Sequence, residues 1–126
     1  MIISAIICTF RNPRGLAGAL DSLLSQTLDA DKYEIIVVDN NSGDETENVF
    51  RAFRERCSVK IQYAMERRPG LSCARNTGIR LAIADIVAFL DDDAVADRNW
   101  LKALLAGYEN GHAVWAVGGK VLPVWD

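Results

Sequence analysis

The chain has 126 residues, half of them apolar and a quarter charged, with a formal net charge of −3. These values describe one ordinary globular domain large enough to bury a core. The absence of a basic stripe argues against nucleic acid as a partner. The apolar opening Met1–Ile7 is too short to span a membrane and lacks the basic flank of a signal peptide. Cys8, Cys57 and Cys73 are an odd number without a C-x-x-C pair. That argues against a disulfide framework or zinc site and fits a reducing compartment. The lone His112 has no second His or Cys near it in sequence and reads as a surface turn residue.

Ile2 to Thr9 is a nearly continuous apolar run, the pattern of a central strand buried on both faces. Arg11-Asn12-Pro13-Arg14-Gly15 breaks it. Leu16, Leu20, Leu23 and Leu24 then recur at helical spacing, which predicts a helix that Gln26-Thr27-Leu28-Asp29 ends. Ile35-Ile36-Val37-Val38 is a second strand, ending in Asp39. Asn40-Asn41-Ser42-Gly43-Asp44 is dense in turn residues. Thr46 to Arg56 reads as a helix with Val49, Phe50 and Phe53 inward. Val59 to Met65 is a shorter strand in which Val59, Ile61 and Tyr63 share a face.

Glu66-Arg67-Arg68-Pro69-Gly70 is a loop. Ser72 to Ala84 is a helix whose inner face, Ala74, Gly78, Leu81 and Ala82, is small enough to approach a sheet closely. Ile86 to Leu90 is a buried strand leading straight into Asp91-Asp92-Asp93. Asp97 is a plausible N-cap for a helix carrying Trp100, Leu101, Leu104, Leu105 and Tyr108. After a turn at Asn110-Gly111, Ala113 to Val124 reads as a last strand. Strands alternating with helices predict a parallel, doubly wound α/β sheet.

In such a sheet ligands bind at the carboxyl edge, and four features gather there: Thr9 to Asn12, Asp39, Arg67 to Asn76 and the acid triplet. Adjacent carboxylates repel one another, and a divalent cation of the Mg²⁺ or Mn²⁺ kind is the usual remedy. The plainer alternative is a solvated turn. Asp39 suits a ribose hydroxyl or a base N–H, or equally a cap on the turn that follows. Arg67, Arg68 and Arg75 flank a helix start, a good setting for a diphosphate. Cys73 has no paired His and reads as packing. Neither G-x-G-x-x-G nor a Walker pattern is present. The sum is a nucleoside diphosphate with a divalent ion.

Five stretches in order resemble family 2 glycosyltransferases of the GT-A fold. They are Ile6-Ile7-Cys8-Thr9-Phe10-Arg11-Asn12, Leu20-Asp21-Ser22-Leu23-Leu24-Ser25-Gln26-Thr27, Glu34-Ile35-Ile36-Val37-Val38-Asp39-Asn40-Asn41-Ser42, Gly70 to Ile79, and Phe89-Leu90-Asp91-Asp92-Asp93. The resemblance implies a Rossmann-like, mostly parallel sheet sandwiched by helices over a single domain, residues 1–126. It implies a nucleotide-sugar donor, usually UDP-linked, a divalent metal, and an inverting displacement by an acceptor hydroxyl. Thr9, Arg11, Asp39, Gly70, Arg75, Asp91 and Asp92 are the implied nucleotide contacts. Asp93 and Asp91 are the implied metal ligands. The Arg11-Asn12 order reverses the family's usual one.

By the same resemblance the general base lies downstream in an acceptor-binding half, beyond Asp126. The expectation is therefore a donor-binding half, either active as part of a longer or split enzyme or a non-catalytic nucleotide-sugar-binding module working with a partner chain. Missing sheet partners would expose apolar surface around Trp115, Val121 and Trp125, which predicts self-association. A cytoplasmic location, with peripheral association at the inner membrane as the variant, completes the expectation.

Overall fold

The computed structural model describes residues 1–109 and 113–125. Its elements are β1 (Ile3–Thr9), α1 (Pro13–Leu24), β2 (Tyr33–Asp39), α2 (Thr46–Arg56), β3 (Lys60–Met65), α3 (Leu71–Leu81), β4 (Ile86–Phe89) and α4 (Trp100–Glu109). The four strands form one sheet in the order β3-β2-β1-β4, and every pairing is parallel. The chain steps outward from β1 to β3, then crosses back to place β4 on the far side of β1. The winding reverses between β1 and β4, and open α/β sheets hold their ligands at such a reversal.

The continuous apolar runs have the expected cause. β1 and β2 are central and covered on both faces. Ile3, Ala5, Ile7, Tyr33, Ile35 and Val37 face α1, α2 and α4, where they meet Leu16, Leu20, Leu23, Phe50, Phe53, Leu101 and Leu104. Ile6, Ile36 and Val38 face the other way and meet Ala74 of α3. The small face of α3 does bring its backbone close to the sheet. A Cβ on Gly78 would lie 2.6 Å from Ile6 Cγ2.

One buried acid organises the opposite edge of the sheet. Glu34 is fully buried, and its Oε1 accepts from Ser4 Oγ at 2.7 Å and from the Ile83 amide at 2.9 Å. Ser4 Oγ in turn accepts from the Ala84 amide at 3.2 Å. These bonds claim the residues just after α3. The helix therefore ends at Leu81 and not at Ala84, as the spacing alone had suggested.

Two other boundaries differ from expectation. α1 begins at Pro13 because Asn12 caps it, its Oδ1 accepting from the Gly15 amide at 3.1 Å, with proline in the first turn. The polar stretch is a helix start and not only a break. The expected last strand over Ala113–Val124 is absent: the described part, 113–125, carries no regular secondary structure. A strand exists only where a neighbour offers an open ladder, and paired glycines weaken it further. Here Val117 lies against α4, so near that a Cβ on Gly107 would meet its Cγ1 at 2.7 Å. Trp115, Val121, Val124 and Trp125 are exposed. The expected turn at Asn110-Gly111, with His112, and the last residue, Asp126, lie outside the described residues.

The start of α4 is pinned to the end of α1. Gln26 Nε2 donates to the Asp97 carbonyl at 2.7 Å, its Oε1 accepts from the Leu101 amide at 2.9 Å, and Asp97 Oδ1 accepts from the Asn99 amide at 2.8 Å. All three cysteines are free. Among the described residues no helix is long and apolar enough to cross a membrane.

Candidate functional site

A cleft of about 370 Å³ opens at the carboxyl edge, at the winding reversal. Cys8, Thr9 and Phe10 line it from the end of β1, and Asn40 from the end of β2. Pro69, Gly70, Leu71 and Ala74 line it from the approach to α3, and Asp92 from the loop after β4. Four segments far apart in sequence thus share one rim, because parallel strands deliver their carboxyl ends to the same side.

Asn40 builds one wall. Its Nδ2 donates to the carbonyls of Glu66 and Arg68, each at 2.8 Å, and its Oδ1 accepts from the Gly70 amide at 3.1 Å. Glu66 anchors the same loop from below. Its carboxylate accepts from the Arg68 amide (2.9 Å), Arg68 Nε (3.1 Å), Arg68 Nη2 (2.9 Å) and Thr77 Oγ1 (2.6 Å). The Arg68 side chain, then Thr77 and the Arg68 amide, hold Glu66 far below the usual carboxylate range.

Arg68 is consequently withdrawn from the arginine cluster that the sequence suggested for a diphosphate. It makes a two-point pair with Glu66, leaving Arg75 as the arginine beside the acids. Arg75 is 43 % exposed, with its Nη2 4.0 Å from Asp91 Oδ1 and its guanidinium 5.5 Å above the Phe89 ring. Arg67 is exposed. Gly70 starts α3 at φ 115, a left-handed conformation suited to glycine, and no side chain caps that helix. Its first amides stay available to an anion.

Asp39 is 2 % exposed and heavily engaged. Its Oδ1 accepts from the Ser42 amide at 2.9 Å and from Ser42 Oγ at 2.6 Å. Its Oδ2 accepts from the Tyr63 hydroxyl at 2.7 Å. Burial, then the Asp39 carboxylate, push the Tyr63 phenol well above its ordinary value. Asp39 closes the turn after β2, but the start of α2 belongs to Asp44, whose Oδ1 accepts from the Thr46 amide at 2.9 Å. Ser42 Oγ also accepts from the Arg11 amide at 2.8 Å, so it joins the loops after β1 and β2. Arg11 sits at φ 50 with its guanidinium 4.9 Å from the Phe10 ring.

The acid triplet is split by its surroundings. Thr9 Oγ1 donates to Asp92 Oδ2 at 2.9 Å, while Asp91 and Asp93 are exposed, Asp91 by 71 %. Gly15 gives the acid loop its seat: a Cβ there would lie 2.4 Å from the Asp92 carbonyl oxygen. Cys8 beside them is pushed up to about 11, chiefly by burial against an opposing Arg75, with Asp91 and Asp92 adding to the rise. It is a neutral packing thiol.

Among the described residues, no three His, Cys, Asp or Glu side chains gather into a ready-made metal cage. A hard cation of the Mg²⁺ type needs no cage when substrate phosphates complete its shell, since one or two carboxylates suffice. The exposed Asp91 and Asp93 are all-oxygen donors and fit that arrangement. Of the residues singled out from sequence, the cleft lining brings together Thr9, Gly70 and Asp92. Arg75 and Asp91 approach each other beside it, and Arg11 and Asp39 meet through Ser42. Sequence reasoning missed the work of Tyr63, Ser42, Asn40 and Gly15. A signal existed for Tyr63, because a tyrosine turned into a core normally finds a hydrogen-bond partner.

The family model described as Glycosyl transferase family 2 matches residues 4–123. The chain belongs to this family. It is 33% identical to the glucosyl-dolichyl phosphate glucuronosyltransferase of Haloferax volcanii over 99% of this chain and 40% of that protein. The chain thus spans about two-fifths of that relative's length. Its fold matches Staphylococcus aureus TarS 1-349 in complex with UDP at a TM-score of 0.81 and 23% identity, over 98% of this chain and 38% of that one. It also matches the mannosyltransferase PcManGT of Pyrobaculum calidifontis in complex with GDP-Man and Mn²⁺. That match has a TM-score of 0.72 and 30% identity, over 76% of this chain and 29% of that one. The fold is therefore the Rossmann-like GT-A arrangement of a family 2 glycosyltransferase.

Proposed function

We propose that the cleft holds a nucleoside-diphosphate sugar, UDP-linked, and that the protein uses it as donor in an inverting transfer to an acceptor hydroxyl. The observation that carries this reading is the cleft at the winding reversal, where Thr9 and Asp92 are hydrogen-bonded across two strand ends. Neighbours of the same fold complexed with UDP, and with GDP-Man and Mn²⁺, support it.

In this reading Asp39 meets the base, with Thr9 and Arg11 beside the nucleoside. Thr9 orients Asp92, so that Asp91 and Asp92 reach the ribose. Gly70 and the uncapped start of α3 face the diphosphate, and Arg75 adds positive charge. Asp93 and Asp91 would hold a divalent cation, Mg²⁺ or Mn²⁺. Bound there, the cation supplies Lewis-acid stabilisation to the departing diphosphate. No general base is assigned to any described residue. The exposed Trp115, Val121 and Trp125 support self-association of the chain, and a clean monomer in sedimentation at high concentration would end that part.

The test is a thermal shift with UDP, with and without Mn²⁺, against GDP and ADP. A ligand at about a hundred times its Kd adds roughly 2.7 kcal/mol to the folded state, a rise of several degrees in a domain of this size. A Mn²⁺-dependent rise with UDP is the expected result. No rise with any nucleotide would remove the reading.

A further inference from the structure

We infer that the outer edge of β3 is a docking strand for an extended acidic segment of another protein, which adds to the sheet there and lays carboxylates against Arg51 and Arg54 of α2. The inference is independent of the nucleotide reading. β3 ends the sheet, with β2 as its neighbour. The ladder gives the direction of its backbone groups. The Glu66 amide donates to the Asp39 carbonyl at 2.8 Å, so Glu66 faces β2. Hydrogen-bonding groups alternate sides along a strand paired in this way. Lys60, Gln62 and Ala64 therefore face β2 as well, and Ile61, Tyr63 and Met65 turn their N–H and C=O outward. Among the described residues nothing hydrogen-bonds to these outward groups.

Sheet edges are commonly blunted by proline, by a charge on the strand or by a covering loop. Ile61, Tyr63 and Met65 are neither charged nor proline, and the charged residue of β3, Lys60, turns its amine to Glu34 at 3.6 Å. Beside this edge a groove of about 340 Å³ separates β3 from α2. Phe50, Ile61 and Tyr63 line it, together with the more exposed Glu47, Arg51 and Arg54. Arg54 forms no ion pair among the described residues. Arg51 holds Glu47 at 2.8 Å in an exposed pair, of a kind that contributes little, so an incoming carboxylate can take its place. The groove is thus basic on a chain of net charge −3.

These charges select the occupant. Two copies joined edge to edge through β3 about a two-fold axis would set both α2 helices on one face, with the arginines of one copy toward those of the other. Like charges facing across a ladder repel. An acidic strand meets the same arginines favourably, and main-chain bonds to the open edge supply the rest of the affinity.

The experiment is a fluorescence-anisotropy titration of the purified protein into a short labelled peptide alternating threonine and glutamate, with a threonine–lysine peptide as control. The acidic peptide should bind at least about tenfold more tightly than the basic one and lose affinity as salt rises. Two further peptides carry backbone N-methyl groups on the threonines or on the glutamates. Only alternate amides of an added strand face the edge, so one methylated set should abolish binding and the other should leave it. Arg54→Glu should weaken binding by at least about tenfold. Ile61→Pro removes an outward N–H and no bond to β2, and it should weaken binding as well. Melting curves check that both variants fold, and the exposed Arg54→Glu decides alone should the proline variant not. A wild type without preference for the acidic peptide, or one that binds both methylated peptides alike, would overturn the inference. So would a dimer in sedimentation that Ile61→Pro dissolves, because the edge would then belong to a second copy.

Discussion

Two sets of carboxylates stand on the same rim of the sheet in opposite circumstances. Asp39 and Glu66 are buried and bonded from several sides. Asp91 and Asp93 stand in solvent, with Arg75 only at the margin of ion pairing with Asp91. Asp92 lies between these cases, half-buried with one oxygen on Thr9. A satisfied, buried acid fixes where loops go, because removing it strands its donors. An exposed acid contributes little to the fold and keeps its oxygens for a ligand. The difference separates the residues that shape this site from those left to meet what enters it.

The largest test of that division is Asp39→Ala. It strands the Ser42 and Tyr63 donors, and we expect a loss of about 3 kcal/mol in stability by denaturant unfolding together with weakened nucleotide binding without metal. An unchanged unfolding midpoint would move Asp39 into the open set. Gly15→Ala comes next. Its new Cβ must displace both the Asp92 carbonyl and the Asn12 side chain, at a cost of about 2 kcal/mol. Nucleotide binding should fall as well, since the acid loop loses its seat. A variant with normal stability and binding would show that this seat does not matter.

The pH dependence of Glu66 is a finer probe. Its carboxyl lies well below the ordinary 4.5 in the folded protein. Its contribution is thus full above that value and is lost as pH falls below it toward the folded value. The gap in Tm between wild type and Glu66→Gln should therefore shrink between about pH 6 and about pH 3. A constant gap would mean that the bonds to Arg68 and Thr77 do not depend on the charge. Asp93→Ala should have the smallest effect on the fold, within about 0.5 kcal/mol, and yet abolish the Mn²⁺-dependent part of UDP binding. Unchanged Mn²⁺-dependent binding would take Asp93 out of the metal's shell.

Much of this was legible in the sequence, for reasons that particular residues show. Ile2 to Thr9 was readable as a central strand because burial on both faces requires unbroken apolar character, and Ile35–Val38 was readable as a second strand. Leu16, Leu20 and Leu23 announced α1 by their period, and Ala74 and Gly78 announced the close approach of α3. The strand expected over Ala113–Val124 failed because apolar content says nothing of a ladder partner. Arg68 was misjudged because its partner, Glu66, lies only two residues away and could equally have pointed into solvent.

The sequence by itself determined the alternation of strands and helices, the parallel sheet, the family and the segments that gather at the carboxyl edge. Period, burial pattern and turn chemistry are local properties, and each is written in a few consecutive side chains. Only the tertiary structure decided which acids are held and which are open. That depends on donors 24 and 83 residues away in the chain, Tyr63 to Asp39 and Thr9 to Asp92. Such pairings arise when crossovers bring strand ends together, and no local pattern in the sequence records them.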